Sequence, residues 1–484
     1  MASEGKPVSE AITKFCLALL SKLSKDDSTA NLFISPFSIS SALSMVMLGA
    51  AGNTATQMSK VLCFTESDNA GAQRTRMLPM QQVHADRQAR MQKQSQMQAP
   101  VGTKLPGYLV KILKEKNGDA GKTDDAGKTD VAAKTDKVDK ADDDTKKTDD
   151  VSGGDPQLQS EPSKPVNVPA GFAEVLSELN QIDASYALDI ANKLYGEKSY
   201  QFIEAFLAEI QKEYKAELES VDYQNNAEEA RISINNWVEK QTQGKIKDLL
   251  AKDAVNGLTK LVLVNAIYFK GQWNQKFNEE ETIDSVFKTS KNDTKEVKMM
   301  RLTSTFPIAV VPEFGCRVLE MPYKGKALSM LILLPDQIED DSTGLEKLEK
   351  ELTYEKFMKW TGPGMMNETL IEVGLPRFKL EEMFDMKDIL VSMGMVDAFD
   401  PVKSDFSKMS PKRDLVLSKA VHKAYVDVNE VGTEAAGATV AIVAERALAE
   451  SFKADHPYLF FIRHNPSGTI LFAGKFCSPE STTA

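Results

Sequence analysis

The sequence predicts an α+β fold: one domain with large sheets, interrupted by a single charged insertion. Three observations lead there. Apolar residues recur at helical spacing near the N-terminus, near-continuous apolar runs of strand length follow later in the chain, and the composition breaks sharply between residues 67 and 168. A repeat array or a helical bundle fits none of them.

The helical signal comes first. Ile12, Phe15, Cys16, Leu19 and Leu23 fall on one face of an amphipathic helix. Ser35 followed by Pro36 reads as a helix start, a capping hydroxyl and then a proline at the first helical position, leading into SISSALSMVMLGA. The strand signals lie further on. Leu261 to Phe269 suits a strand buried on both faces, and Asn265 inside it needs hydrogen-bond partners, because a buried amide left unpaired costs about 1 to 3 kcal/mol. Tyr458 to Arg463 and Thr469 to Phe476 flank Asn465-Pro466-Ser467-Gly468 and read as a hairpin.

The insertion divides the domain into 1–66 and 169–484. Its middle, Lys111 to Asp150, holds ten lysines and twelve acidic residues, with Ile112, Leu113, Val131 and Val138 as its sizeable apolar side chains. Such a stretch buries too little surface to offset its ordering entropy, so disorder is expected over 67–168. AGKTD at 120–124 returns at 126–130, and AAKTD follows at 132–136. These triplets are not a phosphate loop, since lysines stand at 116 and 122, where that motif needs its first glycine. Glutamines from Gln81 to Gln98 precede the lysine-dense repeat, a composition that suits an interaction or cross-linking segment.

A net charge of −11 argues against a nucleic-acid partner, because phosphate binding needs a dense basic face. The apolar stretch near the N-terminus is too short and too closely flanked by charge for a secretion signal, and no later run reaches the length of a membrane span. A cytoplasmic protein without a membrane partner is expected, with unconventional release to the outside as a variant. Cys16, Cys63, Cys316 and Cys477 lie far apart and read as free thiols. The Asn-x-Thr sequons at Asn292 and Asn367 carry little weight in a protein that stays out of the secretory route. His84, His422, His456 and His464 form no metal-binding or catalytic spacing, and no nucleophile elbow or dinucleotide fingerprint occurs. The chain is expected not to be an enzyme and to hold neither metal nor cofactor.

The informative segment runs from Val421 to Pro457. It opens as an alternating strand, reaches Gly432, and continues through small residues. In an extended chain Thr433, Ala435, Gly437, Thr439, Ala441 and Val443 share one face, all small or β-branched, while Glu434 lies on the other. No proline stands between Pro411 and Pro457, so the segment is competent to become a central strand. Arg446 is the one basic residue between Lys423 and Lys453.

This segment resembles the hinge and reactive loop of the serpins, and the N-terminus is similar to their ovalbumin-like intracellular branch (clade B), the leukocyte elastase inhibitor type in particular. NLFISPFSISSALSMVMLGAAGNT (31–54), LVNAIYFKGQW (263–273), LSKAVHKAYVDVNEVGTEAA (417–436) and ADHPYLFFIRHNPSGTILFAGKFCSP (454–479) follow the family pattern in order. The resemblance implies the serpin fold, mainly antiparallel sheets with surrounding helices and an exposed reactive loop. It implies a suicide-substrate inhibitor of a trypsin-like serine protease, cleaved between Arg446 and Ala447 and held as a covalent acyl complex, the inhibitor itself a monomer. By the same resemblance Gly432, Thr433, Glu434, Ala435, Ala436, Gly437, Ala438 and Thr439 are the hinge. Ser35, Ser38, Asn265 and His422 are the shutter, and Trp273, Arg377 and Glu430 the breach, with Glu430 paired to Arg377. Val431 departs from the family pattern, in which a charged residue is common. The alternative is a serpin without inhibitory function, a chaperone, carrier or storage protein whose insertion serves an interaction.

Overall fold

Helix α1 (Gly5–Asp26) forms where the apolar spacing placed it, with Ile12, Phe15, Cys16, Leu19 and Leu23 all buried. Helix α2 (Pro36–Leu48) starts at the predicted cap: Ser35 is extended, its hydroxyl accepts from the Ser38 N–H at 3.1 Å, and Pro36 occupies the first turn. The computed structural model describes residues 5–64, 167–181, 186–211, 217–430 and 449–479, all within one compact unit. The expected insertion therefore lies outside the described residues, except for Asn167 and Val168. Val168 is the first residue of a helix, so the folded chain has resumed by that point.

Further elements of the first half are β1 (Leu32–Ile34), α3 (Gly52–Val61), α4 (Val168–Gln181), β2 (Tyr186–Glu197), α5 (Glu204–Glu209), β3 (Leu218–Val221), α6 (Tyr223–Gln241) and β4 (Leu261–Gly271). Then come β5 (Ile283–Lys288), β6 (Thr294–Val311), β7 (Cys316–Pro322), β8 (Leu328–Pro335), α7 (Glu346–Glu351) and α8 (Tyr354–Trp360). The chain ends with β9 (Asn367–Pro376), β10 (Phe378–Asp385), α9 (Met386–Ser392), β11 (Leu417–Val428), β12 (Glu450–Lys453), β13 (Tyr458–His464) and β14 (Thr469–Phe476).

Two sheets result. One has the order β10-β11-β4-β2-β3, and the other β1-β14-β13-β8-β7-β6-β9-β12 with β5 paired on β6. The predicted hairpin is present as the antiparallel β13–β14 pair. Antiparallel pairing dominates among the described strands, with three exceptions: β11–β4, β2–β3 and β12–β9 are parallel.

Strand β4 explains its own unbroken apolar run. Leu261, Leu263, Ile267 and Phe269 face the main core, while Val262, Val264 and Ala266 face a second cluster with Ile234 and Val238 of α6. A strand covered by sheet and helices on one side and by α6 on the other has no solvent face on which to alternate.

The hairpin core leaves little slack. At Gly474 of β14 an added Cβ lies 2.3 Å from Cζ of the buried Phe460 ring and 2.9 Å from the Leu32 carbonyl oxygen. Gly474→Ala is expected to lower stability by about 1 to 3 kcal/mol, since one contact is backbone that has nowhere to move. Gly364→Ala, in open space, is the control and changes stability little. Urea unfolding midpoints of the two variants check this.

Candidate functional site

Strands β2, β4 and β11 bring three polar side chains into one row across the sheet. Asn192 is the register partner of Asn265, and Asn265 is the register partner of His422. All three are buried, and below them lie Ser35 and Ser38 at the start of α2. The row is internally satisfied. The Ser35 N–H donates to His422 Nε2 at 3.1 Å, which leaves Nδ1 as the protonated nitrogen facing Asn265 Oδ1. Asn265 Nδ2 donates to Ser38 Oγ at 2.6 Å and to Asn192 Oδ1. Ser38 Oγ also contacts Asn192 Oδ1 at 3.2 Å, and Asn192 Nδ2 donates to the Ser38 carbonyl at 3.3 Å. Ser35 Oγ donates to the Leu471 carbonyl at 2.7 Å, tying the cluster to β14.

Four of these residues, Ser35, Ser38, Asn265 and His422, were expected together from the sequence. Asn192 was not. Its signal was available, because in YALDIANKLYGE it stands on the same face as Ile190 and Leu194, an amide at an apolar position just as Asn265 is.

Complete burial pushes His422 down from its ordinary 6.5 to about 3. The geometry acts in the same direction, because a proton on Nε2 would face the Ser35 N–H. His464, on β13, is also buried and pushed down to about 4.

A second group of residues sits where β11 ends. Trp273 Nε1 donates to the Asn429 carbonyl at 2.9 Å, and its ring stacks on Tyr323 with centroids 4.6 Å apart. Glu430 is 3% exposed. Its Oε1 accepts from Thr282 Oγ1 at 2.8 Å and lies 3.6 Å from Arg377 Nη1. The expected Glu430–Arg377 pairing is thus present, and Thr282 and Tyr323 are additional members that the sequence reading missed. Thr282 stands in no motif of its own, and only the fold brings it to Glu430.

Beyond Glu430 the chain reaches β12 through residues 431–448, which are outside the described residues. Val431, Gly432, Thr433, Glu434, Ala435, Ala436, Gly437, Ala438, Thr439, Arg446 and Ala447 all fall there. What the structure fixes is where that connection is rooted. It leaves the end of β11, a strand paired in parallel with β4 from Leu417–Leu261 to Val426–Phe269. It returns at β12, paired in parallel with β9.

Among the described residues no cluster of His, Cys, Asp or Glu side chains is arranged to hold a metal, and no helix is long and apolar enough to cross a membrane. The four cysteines are unpaired.

The described residues thus show a connection of 18 undescribed residues rooted at the end of a strand in a parallel pair, beside a buried polar row. Sequence comparison gives the protein its class. The family described as Serpin (serine protease inhibitor) matches residues 10–134 and 147–479, and the chain belongs to it. Leukocyte elastase inhibitor from Equus caballus is 42% identical over 474 residues, spanning 98% of this chain and 99% of that protein. The Homo sapiens protein of the same name is 41% identical with the same coverage, and Serpin B6 from Macaca fascicularis is 40% identical. Uncleaved ovalbumin superposes with a TM-score of 0.72 at 29% identity, covering 98% of this chain and all of that one, and maspin gives the same values. The resemblance to clade B serpins read from the sequence is borne out, and so is the serpin fold. The bare expectation of a non-enzyme is corrected to the positive statement that the family description makes: this is a family of serine protease inhibitors, and a serine protease is the partner class it implies.

Two expected outcomes test the polar row. Asn192→Ala takes away the acceptor of the Ser38 hydroxyl and one of the two acceptors of the Asn265 amide, and is expected to cost about 1 to 3 kcal/mol in a chemical unfolding experiment. The second concerns pH. A histidine held below its unfolded value contributes stability that is full above 6.5 and is lost as pH falls toward 3. Unfolding midpoints should therefore drop between about pH 7 and about pH 4, and His422→Gln should flatten part of that slope while the His464 share remains. A slope unchanged by His422→Gln contradicts the assignment.

Proposed function

We propose that this serpin traps a trypsin-like serine protease as a covalent acyl complex. The protease serine attacks the Arg446 carbonyl, an ester forms, and the amine of Ala447 leaves. The freed segment, Gly432 to Val443, then enters the sheet between β4 and β11. The bound protease is carried with it, and deacylation stalls because its histidine and oxyanion hole no longer align with the ester. One copy of the chain acts on one protease. The cytoplasmic placement belongs to the same proposal and rests on the resemblance to the intracellular branch.

The observation that carries this reading is the parallel β4–β11 pairing at the root of the loop. A chain that leaves the end of β11 and turns back runs antiparallel to both strands. Its entry replaces one parallel pairing with two antiparallel ones, which are slightly more stable per residue. Thr433, Ala435, Gly437, Thr439, Ala441 and Val443 supply a small-residue face for that position. The eleven residues from Thr433 to Val443 add new ladder at about 0.5 to 1.5 kcal/mol per hydrogen bond, about 10 kcal/mol in all. Slowing deacylation a millionfold needs about 8 kcal/mol, so the driving force is of the right size.

A second reading is favoured by the names of the relatives. Leukocyte elastase inhibitors at 40 to 42% identity point to an elastase-type target, whose small specificity pocket refuses arginine and accepts alanine or valine. Val443, Ala444 and Ala447 flank Arg446 and offer such bonds.

Incubation with trypsin and, separately, with leukocyte elastase decides between them. A detergent-stable complex with trypsin, and release of a peptide beginning at Ala447, is the expected result. A stable complex with elastase alone moves the scissile bond to a small residue. Clean cleavage without any complex removes the trap and leaves the chaperone, carrier or storage alternative. Thr433→Arg is expected to convert inhibitor into substrate, because burying an unpaired charge at the start of the inserted strand costs several kcal/mol. Stoichiometry of inhibition reads this out, and a Thr433→Arg protein that still traps its protease sinks the insertion model.

A further inference from the structure

The seam between β4 and β11 has a second face, opposite the polar row and turned toward α6. Three register pairs stand on it: Val264 opposite Val421, Ala266 opposite Lys423, and Tyr268 opposite Tyr425. The first pair packs in the apolar cluster beneath α6. In the second, Lys423 turns its ammonium to the Lys247 carbonyl and to Glu381, at 3.0 and 2.7 Å. The third pair closes ring against ring, with centroids 5.3 Å apart and planes inclined by 38°.

The place of this pair matters. Strand β11 runs on to Val428, and the connection to β12 leaves after Glu430, so Tyr268–Tyr425 is the last register pair on this face at the end where a strand would enter. Helix α6 stops at Gln241. From the segment that follows it, Lys245 holds its ammonium 5.9 Å from the centre of the Tyr268 ring, within reach of a cation–π attraction. Tyr268 is 6% exposed, and burial pushes its phenol up to about 12. The contact is covered and kept largely dry.

The two faces of the seam respond differently to an entering strand. Neighbouring strands lie about 4.8 Å apart, so one more between them moves β4 and β11 to about twice that separation. On the row side His422 and Asn265 lose one contact and each keeps others. The ring pair has no such replacement. Aromatic pairs need centroids within about 7 Å, and no residue from Thr433 to Val443 is aromatic. We propose that the Tyr268–Tyr425 pair is the clasp that holds the seam shut at its loop end and sets the rate at which the cut segment enters, with Tyr425 as a positioning residue of the trap. This rests on the insertion of that segment between β4 and β11.

The test is the uptake of a synthetic peptide, TEAAGATVAIV, the sequence of Thr433 to Val443, by the full uncleaved chain, followed on native gels. Tyr425→Val removes the ring and keeps a good strand former at the position. It is expected to take up peptide about 2- to 10-fold faster than the parent, the factor by which one aromatic pair changes a barrier. Tyr425→Phe keeps the pair and should match the parent rate. A residue that only packs within its own strand would weaken the protein alike before and after cleavage. Insertion has already parted the clasp in the loop-cleaved protein. Tyr425→Val should therefore lower the urea midpoint of the uncleaved form and change that of the cleaved form much less. Equal uptake rates in the parent and Tyr425→Val, equal losses of midpoint in both forms, or a Tyr425→Phe chain as fast as Tyr425→Val overturns the proposal and leaves the trap standing. A parent chain that takes up no peptide and gains no stability on cleavage overturns the insertion reading together with it.

Discussion

The parallel pairing of β4 with β11 is the constraint on which the rest of this structure depends. Parallel ladders are slightly weaker per residue than antiparallel ones, and this one lies in the middle of a sheet otherwise held mostly by antiparallel bonds. It cannot relax by exposing a face, because β4 is buried on both. The sheet is therefore closed and buried along β4, yet at the β4–β11 seam a better pairing is available to any strand of the opposite direction. The residues that follow β11 in the chain are the nearest source of such a strand.

The polar row crosses that seam. Asn192, Asn265 and His422 stand in register on three neighbouring strands, and their bonds are directional where apolar packing alone would tolerate slip. The arrangement is also uneven across the seam. Parting β11 from β4 breaks the His422–Asn265 contact, but His422 keeps the Ser35 N–H and Asn265 keeps Ser38 and Asn192. Neither side is left wholly unpaired, which is the costly outcome for a buried group. The start of α2 serves both halves of the row at once, and the capping role of Ser35 explains why its N–H and hydroxyl are fixed well enough to do so.

Much of this was legible in the sequence, for reasons that differ from residue to residue. The helix α1, the Ser35 cap and the β13–β14 hairpin follow from local rules of spacing, capping and turn chemistry, and they form as those rules require. Asn265 announced itself as an amide inside an apolar run. Asn192 carried the same signal in a more mixed strand, where Asp189 and Lys193 make a polar residue look ordinary. Thr282 and Tyr323 carried none, since what matters about them is their distance from Glu430 and Trp273, and distance across a fold is not a property of any one segment. The parallel sense of the β4–β11 pair was equally hidden, because an apolar run states that a strand is buried and leaves open which way its neighbour runs.

The target protease depends on a different kind of information from the trap. The seam, the polar row and the Glu430 cluster belong to the body of the fold, and relatives sharing about two residues in five with this chain span nearly its whole length. Residues in the body are held by many simultaneous contacts, so a change at any of them disturbs the fold. A side chain in an exposed loop has no such neighbours and changes freely. Arg446 in a loop attached to that body would redirect the inhibitor toward an aspartate-lined pocket without moving any atom of the seam. Similarity to proteins named for elastase therefore follows from the body of the fold, which these chains share over nearly their whole length. The choice of protease is a separate matter, resting on a handful of residues whose substitution the rest of the molecule does not feel.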